Sequence, residues 1–289
     1  MANPTTGSNV TRAIAQNSQY VQELWTREVQ QPFDKLLVAA KLVNDRSALA
    51  AGGGDVVNVP FVAGVNARAK AASTAVTYDS PEGAPVTLNI DKHYYVAVLI
   101  EDIAKIQSQY ELRGPFQERM AEGLARQVDT DLMSLSINTT PGTSVSGGAN
   151  ITDAGILSVV TAFDAANTPA DMRYGVIGHN TKADLLGINK YVAYDQTGKT
   201  GKAVDGSVDF TGSIYGMELY HSGNVQTSTT GRNIFFHKKA LTLLQQKAPT
   251  FEMEYSVDQI GTKTVLHTVY GVGVERAASF VELTRTTAP

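Results

Sequence analysis

From Val86 to Ile100 the chain reads VTLNIDKHYYVAVLI, and every even position is apolar or aromatic except Lys92. The odd positions change character halfway along. Thr87, Asn89, Asp91 and His93 are polar, whereas Tyr95, Ala97 and Leu99 are not. Period-two alternation gives a strand with one buried face, and an unbroken apolar run gives a strand buried on both. The pattern predicts one strand that leaves a doubly covered core and extends outward as a one-sided ribbon. At about 3.3 Å per residue it would span about 50 Å, far beyond the common strand of about 5–6 residues. A domain that only has to fold itself has little use for such an arm; one that must reach a neighbour does.

The strand runs almost directly into a long helix. Glu101-Asp102 can start a short helical stretch around Ile103 to Ser108, since acidic residues suit a helix N-terminus. Gly114-Pro115 then opens the long helix, with proline where its missing N–H costs nothing. Phe116, Met120, Leu124, Val128 and Leu132 step by four, Leu135 closes the stripe, and Glu122 and Arg126 sit one turn apart on the polar side. Upstream, DVVNVPFV (55–62) reads as an edge strand because of Pro60. Residues 63–85 are alanine-rich and weakly patterned, with turn residues Asp79, Ser80, Pro81, Gly83 and Pro85. The two strands become the legs of one long hairpin with a loose tip.

Residues 1–17 are small and polar and read as a flexible tail. Tyr20, Val21, Leu24, Trp25 and Val29 recur at helical spacing before Pro32, and Phe33, Leu36, Leu37 and Leu42 suggest a second helical stretch. Gly52-Gly53-Gly54 punctuates the chain. Past a Gly/Ser/Thr/Pro loop at 139–149, Ile156, Leu157, Val160 and Phe163 predict a helix and YGVIGH (174–179) a strand. Asn180 can cap TKADLLGI. IYGMELYH (214–221) and NIFFH (233–237) read as strands. FEMEYSVDQ, TKTVLHTVYGVGVE and ASFVELT are strand material expected to return to the sheet of the long strand. The class is α+β.

Net charge is −4 and the longest basic run is Lys238-Lys239, so no clustered basic face for gripping phosphates is visible. With no cysteine, disulfides, thiolate zinc sites and cysteine nucleophiles are excluded. The N-terminus lacks the apolar segment of a signal peptide, and no window approaches the roughly 18 apolar residues of a membrane span. A soluble protein made in a cytoplasm is expected.

The rival chemistry is nucleotide binding. Ala193 to Thr200 fits a loose phosphate-loop pattern ending Gly198-Lys199-Thr200. That motif needs a helix to follow so that its N-terminus faces the phosphates, and GKAVDGSVDFTG is not helical. A plain glycine-rich loop accounts for it better, leaving an enzyme acting through Lys199 as the alternative of a different class. Gly271-Val-Gly273 lacks the third glycine of a dinucleotide fingerprint. The five histidines (93, 179, 221, 237 and 267) include no i,i+4 pair for a helical metal site. Glu101 and Asp102 are better explained by helix capping than by acid–base work. No catalytic residue, metal or cofactor is called for.

The run LNIDKHYYVAVLIEDIAKIQSQYELRGPFQERMAEGLARQVDTDLMSL (88–135) resembles the segment that joins extended loop to spine helix in major capsid proteins of tailed double-stranded DNA bacteriophages. The resemblance is nearest to those of podoviruses. It rests on the strand end, the turn Tyr110-Glu111-Leu112-Arg113, and Asp129 and Asp131 near the helix end. YGVIGHNTKADLLG, GSIYGMELYHSGNV and KTVLHTVYGVGVERAASFVEL agree with later segments of the family in order and spacing. The resemblance implies the Hong Kong phage-type capsid fold: an N-terminal arm (1–50), an extended loop hairpin (52–90), a peripheral domain with the spine helix (91–137 and 235–289) and an axial domain (138–234). It also implies a homo-oligomer of hexamers and pentamers closing an icosahedral shell around double-stranded DNA without sequence-specific binding. Such a shell is located in the virion, and its chains are made in the host bacterial cytoplasm. A portal is implied as partner, and with so short an arm a separate scaffolding protein. An encapsulin-like nanocompartment shell is the subsidiary form of the same reading. Arg68, Lys70, Asp79 and Glu82 near the hairpin tip become candidates for contacts between subunits. Trp25 is either core or an anchor on a neighbour. One branch of the family staples its subunits through a lysine on this loop, where Lys70 stands.

Overall fold

In the computed structural model, residues 38–62, 64–79, 83–102, 113–138, 141–192, 210–225 and 230–286 are described. Along the chain come α1 (Ala39–Leu42), β1 (Asn44–Asp45), α2 (Ser47–Ala50), β2 (Val56–Val59), β3 (Val86–Asn89), β4 (Lys92–Glu101), α3 (Arg113–Asn138), β5 (Thr143–Ser146), α4 (Asp153–Ala165), β6 (Arg173–Ile177), α5 (His179–Leu186), α6 (Asn189–Val192), β7 (Phe210–Ile214), β8 (Met217–His221), β9 (Gly231–His237), β10 (Leu241–Ser256), β11 (Gly261–Val274) and β12 (Phe280–Arg285). A four-stranded sheet has the order β1-β10-β11-β4, a six-stranded sheet the order β5-β12-β9-β6-β8-β7, and β2 and β3 form a separate ribbon.

The run Val86–Ile100 is two strands rather than one. β3 pairs antiparallel with β2, Val56 opposite Asn89 and Val59 opposite Val86. β4 pairs antiparallel with β11, Lys92 opposite Tyr270 and Glu101 opposite Gly261. Changing partners breaks the ladder at Ile90-Asp91, where the Ile90 N–H donates to the Asp55 carbonyl at 2.7 Å. The hairpin base lies directly against β11 at this point. A Cβ on Gly271 would stand 2.2 Å from the Asn89 carbonyl oxygen, and one on Gly273 would stand 2.5 Å from Leu88 Cδ2. That close approach is the structural reason for the Gly-Val-Gly run. Ala50, Val59, Leu88, Ile90 and Leu244 close the base as a small core.

The even residues of β4 face α3: Val96 and Val98 pack with Met120, Leu124 and Leu266. Among the described residues, nothing forms a second cover over the odd side chains. Tyr95 is 69% exposed and Leu99 38%, so the expectation of a strand buried on both faces fails in the single chain. The apolar odd face is open.

The stripe on α3 serves two sheets in succession. Its first half, through Met120 and Leu124, packs on the four-stranded sheet. Its second half, through Leu132, Met133 and Leu135, joins Val176, Ile234, Phe236 and Phe280 on one face of the six-stranded sheet. The opposite face of that sheet presents Ile177, Phe235 and Val281 to Ile156 and Phe163 of α4 and Leu185 of α5. β9 is therefore apolar at consecutive positions because both its faces are covered.

Three expectations need correction. β10 and β11 do return to the sheet of the long strand, but β12 pairs with β9 and β5 in the six-stranded sheet. Residues 235–289 are thus divided between the two sheets. IYGMELYH is a hairpin, not a strand: Tyr215 and Gly216 have φ of 50° and 80°, the signs a tight two-residue turn requires. α5 starts at His179 with Gly178 as its cap, so Asn180 lies in the first turn. Of the second helical stretch, Leu42 lies in α1, and Phe33, Leu36 and Leu37 lie outside the described residues.

Gly271→Ala should force the hairpin base off β11, at a cost of about 1–3 kcal/mol typical of overpacking. Gly52, whose added Cβ would meet nothing within 4 Å, should accept alanine with little change. Urea unfolding of the two variants beside the parent chain checks the contrast.

Candidate assembly surfaces

Two carboxylates sit where α3 passes from one sheet to the other. Asp129 is fully buried. Its Oδ1 accepts from the backbone N–H groups of Val38 at 3.2 Å and Ala39 at 2.7 Å. Its Oδ2 accepts from Asn224 Nδ2 at 2.9 Å and Ser222 Oγ at 3.4 Å. One side chain thereby joins the start of α1, the spine helix and the loop after β8. Asp131, two residues past it and on a different face of the helix, accepts from the Tyr270 hydroxyl at 2.7 Å and from Gln127 Nε2 at 3.0 Å, with Lys92 Nζ at 4.0 Å. Tyr270 belongs to β11 and Lys92 to β4, so this second carboxylate ties the helix to the four-stranded sheet. Burial and the bond to Asp131 push the Tyr270 phenol far above its ordinary value. It stays a neutral donor.

With the frame fixed, three strips of apolar side chains stand open among the described residues. The segment between β2 and β3 has no regular structure over 64–79 and exposes Phe61, Val62, Val65, Val76 and Tyr78, the last at 90%. The odd face of β4 exposes Tyr95 and Leu99. The β10–β11 hairpin carries a stripe, Phe251, Met253, Tyr255 and Val257, alternating with Glu252, Glu254, Ser256 and Asp258. Phe251 packs on the α3 core, but Met253, Tyr255 and Val257 outrun it, and Val257 is 78% exposed. At the turn Ile260 holds φ of 43°, an uncommon conformation for a β-branched residue. A set of open apolar strips of this kind marks protein contact surfaces.

Elsewhere, Asp153 gathers the elements of the other sheet. It accepts from the hydroxyls of Tyr191 and Tyr215, the latter at 2.6 Å, and from Lys190 Nζ at 3.0 Å. Burial works to raise its pKa, yet these donors together hold the carboxyl below its ordinary 3.8. Lys190 is pushed up by its bonds to Tyr215 and Asp153. The cluster fastens α6 and the β7–β8 turn to the start of α4.

Of the residues singled out in the sequence, Arg68 and Asp79 are brought together: Arg68 Nη2 donates to Asp79 Oδ1 at 2.6 Å across the loop between β2 and β3. This pair lies within one chain. Lys70 is exposed on the same loop. Trp25, Glu82 and the Gly198-Lys199-Thr200 run lie outside the described residues. The joining role of Asp129 was missed because its partners are 90 or more residues away in sequence. The stripe at 251–257 was visible as alternation but read only as strand material.

Asp129→Ala should leave two backbone amides and a carboxamide without their acceptor and lower stability by about 3 kcal/mol. Tyr270→Phe removes one donor while Asp131 keeps Gln127 and Lys92, and should cost about 1 kcal/mol. Urea midpoints at unchanged m-value test both. The Asp153 cluster sets a pH dependence. A carboxyl whose folded pKa is depressed contributes stability above its unfolded value, lost as the pH falls through the folded value. The stability gap between the parent chain and Asp153→Asn should be full at neutral pH and close as the pH drops below about 4, read by thermal melts across that range.

A family model described as phage capsid protein matches residues 88–283. In structure, the chain is similar to a protein of Mycobacterium phage Che8, at TM-score 0.80 and 24% identity, covering 93% of this chain and 98% of that one. It is also similar to the capsid structure of the cyanophage P-SCSP1u, at TM-score 0.71 and 18% identity, covering 92% and 93%. The capsid of Ralstonia phage GP4 aligns at TM-score 0.68 and 11% identity, covering 98% and 99%. No curated protein matches the chain. The likenesses establish the α+β Hong Kong-type capsid fold. The family match runs from β3 through the spine helix and both sheets into β12, and the chain belongs to the phage capsid protein family.

Proposed function

We propose that this chain is the major shell subunit of a tailed bacteriophage, assembling as hexamers and pentamers into an icosahedral capsid around double-stranded DNA. Family membership makes it a capsid protein. The observation that carries the assembly reading is the segment between β2 and β3, where Phe61, Val62, Val65 and Tyr78 stand exposed and no described part of the chain covers them. Apolar side chains left in water at that density favour burial against another copy, and a repeated contact between unlike patches closes into rings. The role is structural rather than catalytic.

In this reading 1–50 is an arm and 52–90 a loop lying over the adjacent subunit. The peripheral domain is β4, α3, β10 and β11, and the axial domain is the six-stranded sheet with α4, α5 and α6. Arg68, Lys70, Asp79 and Glu82 contact the neighbour, the first and third as an ion pair that stiffens the loop before docking. A scaffolding protein and a portal are the expected partners, and net charge −4 suits a shell that contains DNA without gripping it. Among the described residues no helix is long and apolar enough to cross a membrane. Synthesis in the host cytoplasm and residence in the virion follow from the same reading.

Deleting residues 65–79 should leave a folded subunit, since β2, β3 and the core beneath them are untouched, but closed shells should disappear from electron micrographs of the expressed protein. Unfolding of the deletion variant, or shells formed as readily as by the parent chain, would count against an outward-reaching loop.

A further inference from the structure

A groove of about 350 Å³ runs between α3, α1 and the four-stranded sheet, with Leu124, Val128, Leu243, Pro249 and Leu266 among its walls. Its size falls in the range of sites that hold large apolar groups, about 300–1,000 Å³. Leu124 and Leu266 are buried at its floor, and Ala121 and Ala125, one helical turn apart, are exposed at its rim. The groove also reaches Ala40 and Lys41 of α1. The chain enters this place from its N-terminal side: the Val38 and Ala39 amides are held on Asp129, itself part of the groove wall. Thirty-seven residues precede Val38, so a long segment ends at the groove's edge.

We infer that this groove is the seat of the chain's own segment Tyr20–Val29, with Trp25 as its anchor. The segment repeats Tyr20, Val21, Leu24, Trp25 and Val29 on one helical stripe, an apolar face that needs a partner surface. Reach permits it: Gln30 to Leu37 can span up to about 27 Å when extended, whereas Ala121 to Val128 occupies about 10 Å of helix. Charge agrees as well, since Lys41 lines the groove and the segment carries Glu23 and Glu28 against the single cation Arg27. Tryptophan is enriched among the residues that anchor such contacts in desolvated pockets. The seat is independent of the shell reading, because it is filled within one chain and exists before any copies meet.

Trp25 is the single tryptophan and the chain has no cysteine, so both fluorescence and disulfide trapping report on one place. In the dilute, unassembled full chain, Trp25 emission should be blue-shifted and shielded from acrylamide. Ala125→Arg, a change at an exposed helix position, should shift the emission to the red and remove the shielding, while Ala165→Arg at the far end of α4 should leave both unchanged. As a second measurement, the pair Leu24→Cys and Ala121→Cys should oxidise to a faster-migrating monomer on non-reducing gels. Trp25 freely quenched in the parent chain, shielding indifferent to Ala125→Arg, or absence of the intrachain bridge would overturn the seat. Shielding that appears only at high concentration, or a bridged dimer, would also overturn it by assigning the groove to a second copy. Shell formation by the parent chain, read separately in electron micrographs, keeps that outcome distinct from failure of the capsid reading.

Discussion

The buried carboxylate of Asp129 is the constraint on which the rest of the architecture depends. Four donors from two stretches distant in sequence converge on it, and buried donors of this kind require an acceptor. That requirement sets where α1 begins, how the loop after β8 returns and at what height α3 crosses between the sheets. Asp131 repeats the arrangement toward β4 and β11. A helix of 26 residues, about 39 Å long, thereby becomes a fixed beam with one sheet on each half.

A rigid beam explains why so much apolar surface can be left open elsewhere. The two cores of the six-stranded sheet and the smaller one beneath α3 are closed by the chain itself. Among the described residues, the exposed apolar side chains that gather into strips lie on the segment between β2 and β3, the odd face of β4 and the β10–β11 tip. A subunit that must present the same contact edges to many copies needs those edges held in register. Here the carboxylate pair and the glycine contact at Gly271 do the holding, well away from the edges themselves.

Much of this was legible in the sequence. The step-by-four stripe located α3 and its apolar face, and the Pro60 edge strand with its loose tip anticipated the β2–β3 ribbon. The order of motifs along the chain points to the capsid fold. Local pattern could not tell how many covers each strand receives. VAVLI reads the same whether its second face meets its own core or another copy, so Tyr95 and Leu99 were expected inside and stand outside. Nor could it assign β12, since FVEL is apolar enough for either sheet and only the pairing with β9 decides. The break at Ile90-Asp91 came from a change of partner strand, an event with no local signature except the glycines that sit opposite it. Asp129 and Asp131 were noticed as marks of a family, but their long-range partners carried no signal in spacing.

The central claim is that a subunit locked along α3 reaches outward with the strips its own fold leaves open, and that further copies close them. A cryo-electron microscopy reconstruction of particles formed by the expressed chain tests it most directly. The account predicts a closed icosahedral shell in which residues 61–79 cross onto an adjacent subunit and Tyr95 and Leu99 lose their solvent exposure. Particles in which that segment folds back on its own chain, with the odd face of β4 still open to water, would contradict it.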